Sequence, residues 1–158
     1  MKIFSKKGFM VVEVLVAASI ITASILAAML VAQKSIYVSR QALHTAEAAF
    51  LLEEGAEAVR ILRDNAWDNI SSLTPATSYY PLFSGATWTL SSTPNTVGIF
   101  IRTVTISNVN RDNVTEDISS AGTDDAGTKL VTVAVSWAEG TTAVSKNLKF
   151  YVTDIFSE

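Results

Sequence analysis

The sequence has 158 residues, about the length of one ordinary domain, with 49% hydrophobic residues, 17% charged residues and a net charge of −3. This composition is too apolar for a disordered chain and too acidic for a generic phosphate binder. The lack of cysteine excludes a disulfide framework, a thiolate metal site and a cysteine nucleophile, and the single histidine, His44, excludes most His-based zinc and triad chemistry. The composition therefore argues against an ordinary enzyme.

The apolar residues are concentrated near the N-terminus, in a run of 24 residues from Phe9 to Ala32. The polar residues within this run are Glu13, Ser19, Thr22 and Ser24. As a helix the run is ~36 Å long, whereas the hydrocarbon core of a bilayer is ~30 Å thick. We therefore predict a transmembrane helix at residues 9–32.

The charges on the two sides of this run differ in sign. Lys2, Lys6 and Lys7 precede it, and the remaining chain has 9 basic against 15 acidic residues, a net charge of −6. Under the positive-inside rule the N-terminus stays in the cytoplasm and the rest is exported. The expected location is the cytoplasmic membrane, crossed once, with an acidic extracytoplasmic part.

A cleaved secretory signal peptide is the competing interpretation, because such peptides also combine a basic start with an apolar stretch. Small residues near Ala23–Ala28 are compatible with a cleavage site. However, the run is longer than the ~7–15-residue apolar region of signal peptides. It also contains Glu13 close to its start. We therefore expect the helix to be retained.

An acid inside a membrane helix needs an explanation, since it costs about 2.5–3.5 kcal/mol at the bilayer centre and less near an end. In one interpretation, Glu13 lies near the cytoplasmic interface and its side chain reaches the headgroups. In the other, a cut between Gly8 and Phe9 creates an α-amine four residues before Glu13. The carboxylate then compensates this cation, within one chain or between neighbouring helices.

The N-terminal residues resemble the signature of type IV pilins and pseudopilins: a basic leader ending in glycine, a phenylalanine, three apolar residues, a glutamate and a long apolar helix. The matching residues are Lys6, Lys7, Gly8, Phe9, Met10, Val11, Val12 and Glu13. This resemblance implies that a membrane prepilin peptidase removes residues 1–8 after Gly8 and that Phe9 becomes N-methylated. It also implies that Glu13 pairs with the Phe9 amine of a neighbouring subunit.

Within this resemblance, the positions of the prolines bear on the type of subunit. Major pilins often have a helix-kinking proline in the apolar segment, whereas the prolines here are Pro75, Pro81 and Pro94. A minor pilin or pseudopilin of a type IV pilus-like or type II secretion-like filament is therefore expected. Its partners would be the prepilin peptidase, other pilin or pseudopilin subunits and the membrane. The alternative is an uncleaved, single-pass, membrane-anchored surface binding protein.

Residues 33–70 contain no proline and are rich in helix-favouring residues, so we predict that the helix continues through them. Spacings of three and four place one apolar set on a common face that packs on a downstream sheet: Leu51, Leu52, Gly55, Ala58, Val59 and Leu62. A thinner apolar stripe suits contacts with adjacent helices: Ile36, Leu43, Ala46 and Phe50. Gly55 indicates close packing of a strand against the helix, with a hinge as the alternative.

Residues 71–158 change to β-type patterns, and we predict a globular head built on a three- or four-stranded antiparallel sheet. Residues 71–95 are expected to form a loop with a short strand at 87–91. Alternating apolar residues predict strands at 98–109, 130–137 and 144–152, with a hairpin at 138–143. Together with the helix, these strands define an α+β fold, a pilin-like roll.

The loop predicted at residues 110–129 is acidic and contains Gly122 and Gly127. Weak calcium candidates in it are Asp112, Asp117, Asp124 and Asp125, although their spacing fits no EF-hand and a solvated acidic loop is the simpler interpretation. No other cofactor and no catalytic residue is predicted. No nucleic-acid partner is expected either, because Lys146 and Lys149 make a poor footprint on an acidic domain.

Overall fold

The computed structural model describes residues 6–155, with side chains described from Met10 onward. The chain divides into two compact units, Met1–His44 and Thr45–Glu158. Helix α1 spans Lys6–Asn65 and helix α2 spans Asp68–Ser71. The strands are β1 Ser78–Ser84, β2 Thr87–Ser91, β3 Thr96–Val97, β4 Phe100–Arg111, β5 Ile118–Ser119, β6 Thr123–Glu139 and β7 Thr142–Thr153.

All strand pairs are antiparallel, and the main sheet has the order β2-β1-β4-β6-β7. The short strands β3 and β5 both pair with β4. The expected α+β fold, a long helix on an antiparallel sheet, is therefore confirmed. The predicted count of three or four strands was too low, because the sheet has seven strands within residues 6–155.

The second unit has its core between the sheet and the part of α1 after His44. The predicted packing face of the helix is confirmed, since Ala58 and Val59 are fully buried and Leu52 and Leu62 nearly so. The sheet contributes a matching set of buried side chains: Phe100, Val104, Ile106, Val131, Val133, Val135, Trp137 and Val152. These residues alternate along β4 and β6, so the predicted two-residue period is also confirmed.

The helix ends earlier than predicted. Instead of continuing to about residue 70, α1 stops at Asn65, and α2 begins after a short break. Asp64 and Asn65 favour this end because short polar side chains compete for backbone hydrogen bonds. The Asn69 side chain then donates to the carbonyl of Leu62 at 3.0 Å, and the same carbonyl accepts from the Ala66 amide at 3.2 Å, so two donors hold the chain at the helix end.

The segment predicted as a loop at residues 71–95 contains β1 as well as the expected strand β2. Pro81 lies in β1, where a proline removes one ladder hydrogen bond and obscures the strand pattern. The strand tolerates it because β1 pairs with β4 only at Ser78 and Tyr79, before the proline. Beyond that point β1 pairs with β2 alone.

Strand β7 follows its predicted pattern only in part. Val152 is buried, but Leu148, expected on the same dry face, is exposed. The reason is position: β7 is the last strand of the sheet and pairs with β6 alone. The predicted hairpin is confirmed, since β6 and β7 pair from Thr128 opposite Thr153 to Glu139 opposite Thr142.

Candidate functional site: the apolar helix and the acidic turn

The first part of α1 presents its apolar side chains to the surroundings. Within the described residues, one helix is long and apolar enough to cross a membrane, judged by its length and composition, and its most apolar stretch has a mean hydropathy of 2.6 with no buried residue. Met10, Leu15 and Ile20 are typical, each with more than half of its surface exposed. Contiguous apolar surface of this size marks a membrane or protein contact site.

The hydroxyl groups in this stretch are satisfied by the helix itself. Each donates to a backbone carbonyl three or four residues earlier, at 2.8 Å: Ser19 to Val16, Thr22 to Ala18 and Ser24 to Ile20. Such bonds remove the cost of placing a hydroxyl in hydrocarbon, where water cannot serve as a partner. Three of the four polar side chains in the run are therefore compatible with a lipid or protein environment.

Glu13 is the exception for a chemical reason. An ionised carboxylate only accepts hydrogen bonds, and the carbonyls of a helix are acceptors too, so the helix cannot satisfy Glu13 as it satisfies the hydroxyls. The side chain is exposed on α1. In an apolar environment it requires a donor or a cation from another source.

The other residues of the N-terminal signature lie at the edge of the described part of the chain. The backbone of Lys6, Lys7, Gly8 and Phe9 forms the start of α1, and their side chains are outside the described set. Cleavage after Gly8, N-methylation of Phe9 and the role of the two lysines therefore stay predictions. In sequence, Phe9 precedes Glu13 by about one helical turn.

The four calcium candidates do not share one loop. Asp112 and Asp117 lie in the turn between β4 and β5, but Asp124 and Asp125 belong to β6, where Asp124 pairs with Asn110. The loop prediction was wrong here, because β6 begins seven residues before the predicted strand at 130. Among residues 6–155, no three or more His, Cys, Asp or Glu side chains are grouped so that they could hold a metal ion.

The chain itself uses the carboxylate oxygens at two of these positions. The Oδ1 atom of Asp112 accepts from the backbone amides of Val114 and Thr115 at 2.8 and 2.9 Å. These amide hydrogen bonds lower the pKa of Asp112 below its ordinary value of 3.8. Asp125 accepts from Arg111 Nε at 2.6 Å and from the Gly127 amide at 2.9 Å. The arrangement stabilises a turn and leaves fewer oxygens for a cation.

Arg111 organises this acidic turn. Besides binding Asp125, it donates to the carbonyl of Glu116 at 2.9 Å and to the hydroxyl of Thr128 at 3.3 Å. The Glu116 backbone has a φ of 61°, a left-handed conformation that few non-glycine residues adopt. Hydrogen bonds from Thr128 and then from Arg111 hold the pKa of Asp125 below 3.8.

Sequence reasoning missed a second arginine, Arg102, whose side chain is buried between the helix and the sheet. It is 4% exposed, and its Nη1 atom contacts Glu54 Oε2 at 2.5 Å. Its guanidinium also lies over the ring of Trp88, 5.5 Å from the ring centroid. One sequence feature could have indicated that Arg102 is buried. Alternate residues of β4 face the core, and Arg102 lies between the core residues Phe100 and Val104 in this alternation.

Comparisons with protein-family models, with curated proteins and with solved structures find no match to this chain.

Proposed function

We propose that this chain is a structural subunit, a minor pilin or pseudopilin, of a type IV pilus-like or type II secretion-like filament. The observation that carries the proposal is the sequence from Lys6 to Glu13 followed by an exposed apolar helix. In the apolar stretch of this helix, the hydroxyl groups bond to the helix itself, whereas the carboxylate of Glu13 needs a partner from another molecule.

In the proposed assembly, a prepilin peptidase cleaves between Gly8 and Phe9 and leaves a new α-amine on Phe9, which is then N-methylated. The amine remains cationic, and the Glu13 carboxylate of a neighbouring subunit compensates it. Pairing the two charges lowers the cost of holding each in an apolar environment, whereas either one alone is strongly unfavourable. The charge pair therefore favours lateral packing of subunits over the isolated membrane helix.

The two compact units of the chain have different roles in the proposed filament. The apolar part of α1 occupies the membrane before assembly and the filament core afterwards, with the three internally bonded hydroxyls compatible with both. The unit that contains the sheet is exported and displayed outside. The role is structural rather than catalytic, and the acidic turn held by Arg111 supports the fold of the displayed unit.

Mass spectrometry of the protein isolated from its native membrane tests the proposal. The expected mature N-terminus is N-methylated Phe9, and the processed chain should co-purify with other filament subunits. An intact Met1 would instead assign the uncleaved, membrane-anchored surface protein. An N-terminus beyond residue 23 would identify a cleaved signal peptide and remove the basis of filament assembly.

A further inference from the structure

Strand β2 has one unpaired edge. It pairs with β1 from Ser91 opposite Tyr80 to Thr87 opposite Ser84, and no second strand within residues 6–155 pairs with it. Its five residues include no charged side chain. An unpaired strand edge presents backbone N–H and C=O groups that another extended chain can bind.

Strand β7, at the opposite end of the sheet, also has an unpaired edge, but its composition differs. Lys146 and Lys149 lie exposed on β7. Charged side chains, lysine above all, are a common means by which proteins prevent pairing at a strand edge. Because β2 lacks this protection, its edge is the better candidate for binding another strand.

The turn of the β1–β2 hairpin determines which backbone groups of β2 face away from β1. Gly85 and Ala86 form a two-residue turn with φ values of 62° and 64°, as a type I′ turn requires. In such a turn, the residues on either side, Ser84 and Thr87, are joined by hydrogen bonds. Hydrogen-bonded and non-hydrogen-bonded pairs then alternate along the two strands.

Trp88 and Leu90 therefore belong to non-hydrogen-bonded pairs, and their backbone groups point away from β1. Leu90 lies opposite Pro81, which suits such a position because proline has no N–H to donate. In the described part of the chain, no backbone hydrogen bond joins Trp88 or Leu90 to another element. The Trp88 carbonyl has one long contact, at 3.5 Å, from the hydroxyl of Thr87. Two amides and two carbonyls are thus open to a ligand.

This edge of β2 borders a groove. Four consecutive residues, 87–90, line a space of about 540 Å³. Successive side chains of a strand point to opposite faces, so a groove that all four residues line runs along the strand edge. Residues from the end of α1 and from α2 onward form the other wall, three or four positions apart: Leu62, Asn65, Asn69 and Ser72. Four strand residues extend over ~13 Å, which suits an extended segment of similar length.

The groove combines an apolar base with one carboxylate. Four apolar side chains that line it are buried or half-buried: Leu62, Leu73, Trp88 and Leu90. Asp68 lines it as well and is exposed, whereas no Lys or Arg is among the lining residues. An acidic ligand is therefore disfavoured beside Asp68, and a basic one is favoured. Apolar side chains of a ligand gain by burial against the base.

We propose that this groove binds an extended peptide segment of a partner protein, which adds to β2 as a further strand. The backbone of the segment bonds to the amides and carbonyls of Trp88 and Leu90, and every second side chain contacts the apolar base. The side chains between them are polar, with Lys or Arg near Asp68. The site lies in the unit that contains the sheet and depends neither on cleavage after Gly8 nor on the filament role.

A display library of random heptapeptides, selected against the purified full chain in detergent, tests the proposal. We expect the selected peptides to alternate apolar and polar residues and to contain Lys or Arg but no Asp or Glu. Fluorescence polarisation of labelled synthetic copies gives their affinities. A library that yields no saturable binder, or yields mainly acidic peptides, overturns the proposal.

Proline substitutions locate the binding edge. Leu90→Pro removes an outward N–H without removing a hydrogen bond to β1, and it should weaken binding of the selected peptides at least tenfold. Asn147→Pro is the matched control, because Asn147 lies five positions after the turn-flanking Thr142 and so also has an outward N–H, on β7. It should leave the affinity within twofold of wild type. Equal affinities for the two variants, or a loss with Asn147→Pro alone, contradict the assignment to β2.

N-methylated peptides test the added strand on the wild-type protein, so the result does not depend on the folding of a variant. Two versions of the tightest peptide are made, one methylated at the odd-numbered amides and the other at the even-numbered amides. In an added strand, the amides of one set bond to β2 and those of the other set face away. One version should therefore bind at least tenfold more weakly, and the other should bind within threefold of the parent. An equal loss in both versions excludes strand addition.

Two further measurements test the charge and the identity of the occupant. Asp68→Asn should weaken binding of the basic peptides at least fivefold, whereas Asp64→Asn, an exposed aspartate outside the groove, should not. An equal loss with both variants contradicts the role of Asp68. Mass photometry with and without peptide addresses the occupant. Peptides that reproduce a segment of this chain and dissociate a complex between its copies would assign the groove to a second copy and overturn the partner assignment.

Discussion

Gly55 of α1 lies directly against Val133 of β6: a Cβ atom on Gly55 would be 2.7 Å from the Val133 Cγ1 atom. It would also be 3.2 Å from the Cδ atom of Arg102. Val133 is fully buried and has a short, stiff side chain, so it cannot move aside easily. The interpretation of Gly55 as a point of close packing between the helix and a strand is therefore confirmed.

Gly55→Ala should destabilise the second unit, although alanine favours a helix over glycine by about 1 kcal/mol. The clash with Val133 forces the helix and the sheet apart, and overpacking of this kind costs about 1–3 kcal/mol. Urea unfolding of the purified full chain in detergent, followed by tryptophan fluorescence, measures the loss. In a Val133→Ala background the added methyl group has space, so Gly55→Ala should become neutral or stabilising. An equal loss in both backgrounds would contradict the assigned contact.

Glu54→Gln should destabilise the chain by about 1 kcal/mol, because the buried guanidinium of Arg102 loses its ionised acceptor. This loss of stability is smaller than is usual when a buried cation loses its partner. The Glu54 side chain is 47% exposed, so water already screens the pair on that side. In an Arg102→Met background the same change should have little effect. Glu53→Gln, at the exposed neighbouring position, is the matched control for unfolding in detergent. A loss with Glu54→Gln that persists without Arg102 would assign the effect to the helix rather than to the pair.

Asp125 should make the stability of the second unit sensitive to acid. Its folded pKa is lowered, so the ionised form contributes stability above the ordinary pKa of 3.8, and this contribution disappears as the pH falls through the folded pKa. Asp125→Asn should therefore lower the Tm at pH 6, with the difference from wild type shrinking at pH 3. Asp124→Asn, at the adjacent exposed position, serves as the control. A Tm difference for Asp125→Asn that is constant between these pH values would exclude the ionised carboxylate as its cause.

The parts of the fold that the sequence predicts correctly are those with an uninterrupted local period. Val131, Val133 and Val135 alternate without a break, and the helix face through Val59 follows the 3.6-residue period just as clearly. Strand β1 was missed because Pro81 interrupts its pattern, and its pairing with β2 and β4 is a tertiary property.

The buried arginine Arg102 and the acidic turn around Arg111 are the parts of the site that the sequence did not predict. Arg102 is acceptable in the core because Glu54, 48 positions away, neutralises it. Asp125 was assigned to a loop because its partner Arg111 lies across the β4–β6 ladder, 14 positions earlier. Such long-range partners leave no local pattern. The N-terminal signature is visible in the sequence because its residues, 6–13, are consecutive.

Glu13→Gln should separate processing from assembly. The change keeps the shape of the side chain and removes its charge, so membrane insertion and cleavage after Gly8 should proceed. Incorporation into filaments should fall at least tenfold, ~1.4 kcal/mol, because the Phe9 amine loses its compensating charge. N-terminal mass spectrometry and the filament-to-membrane ratio on immunoblots give the two readouts. Ser19→Ala removes a polar group that its own helix satisfies, so it should assemble normally. Normal assembly of Glu13→Gln would show that the charge pair is unnecessary.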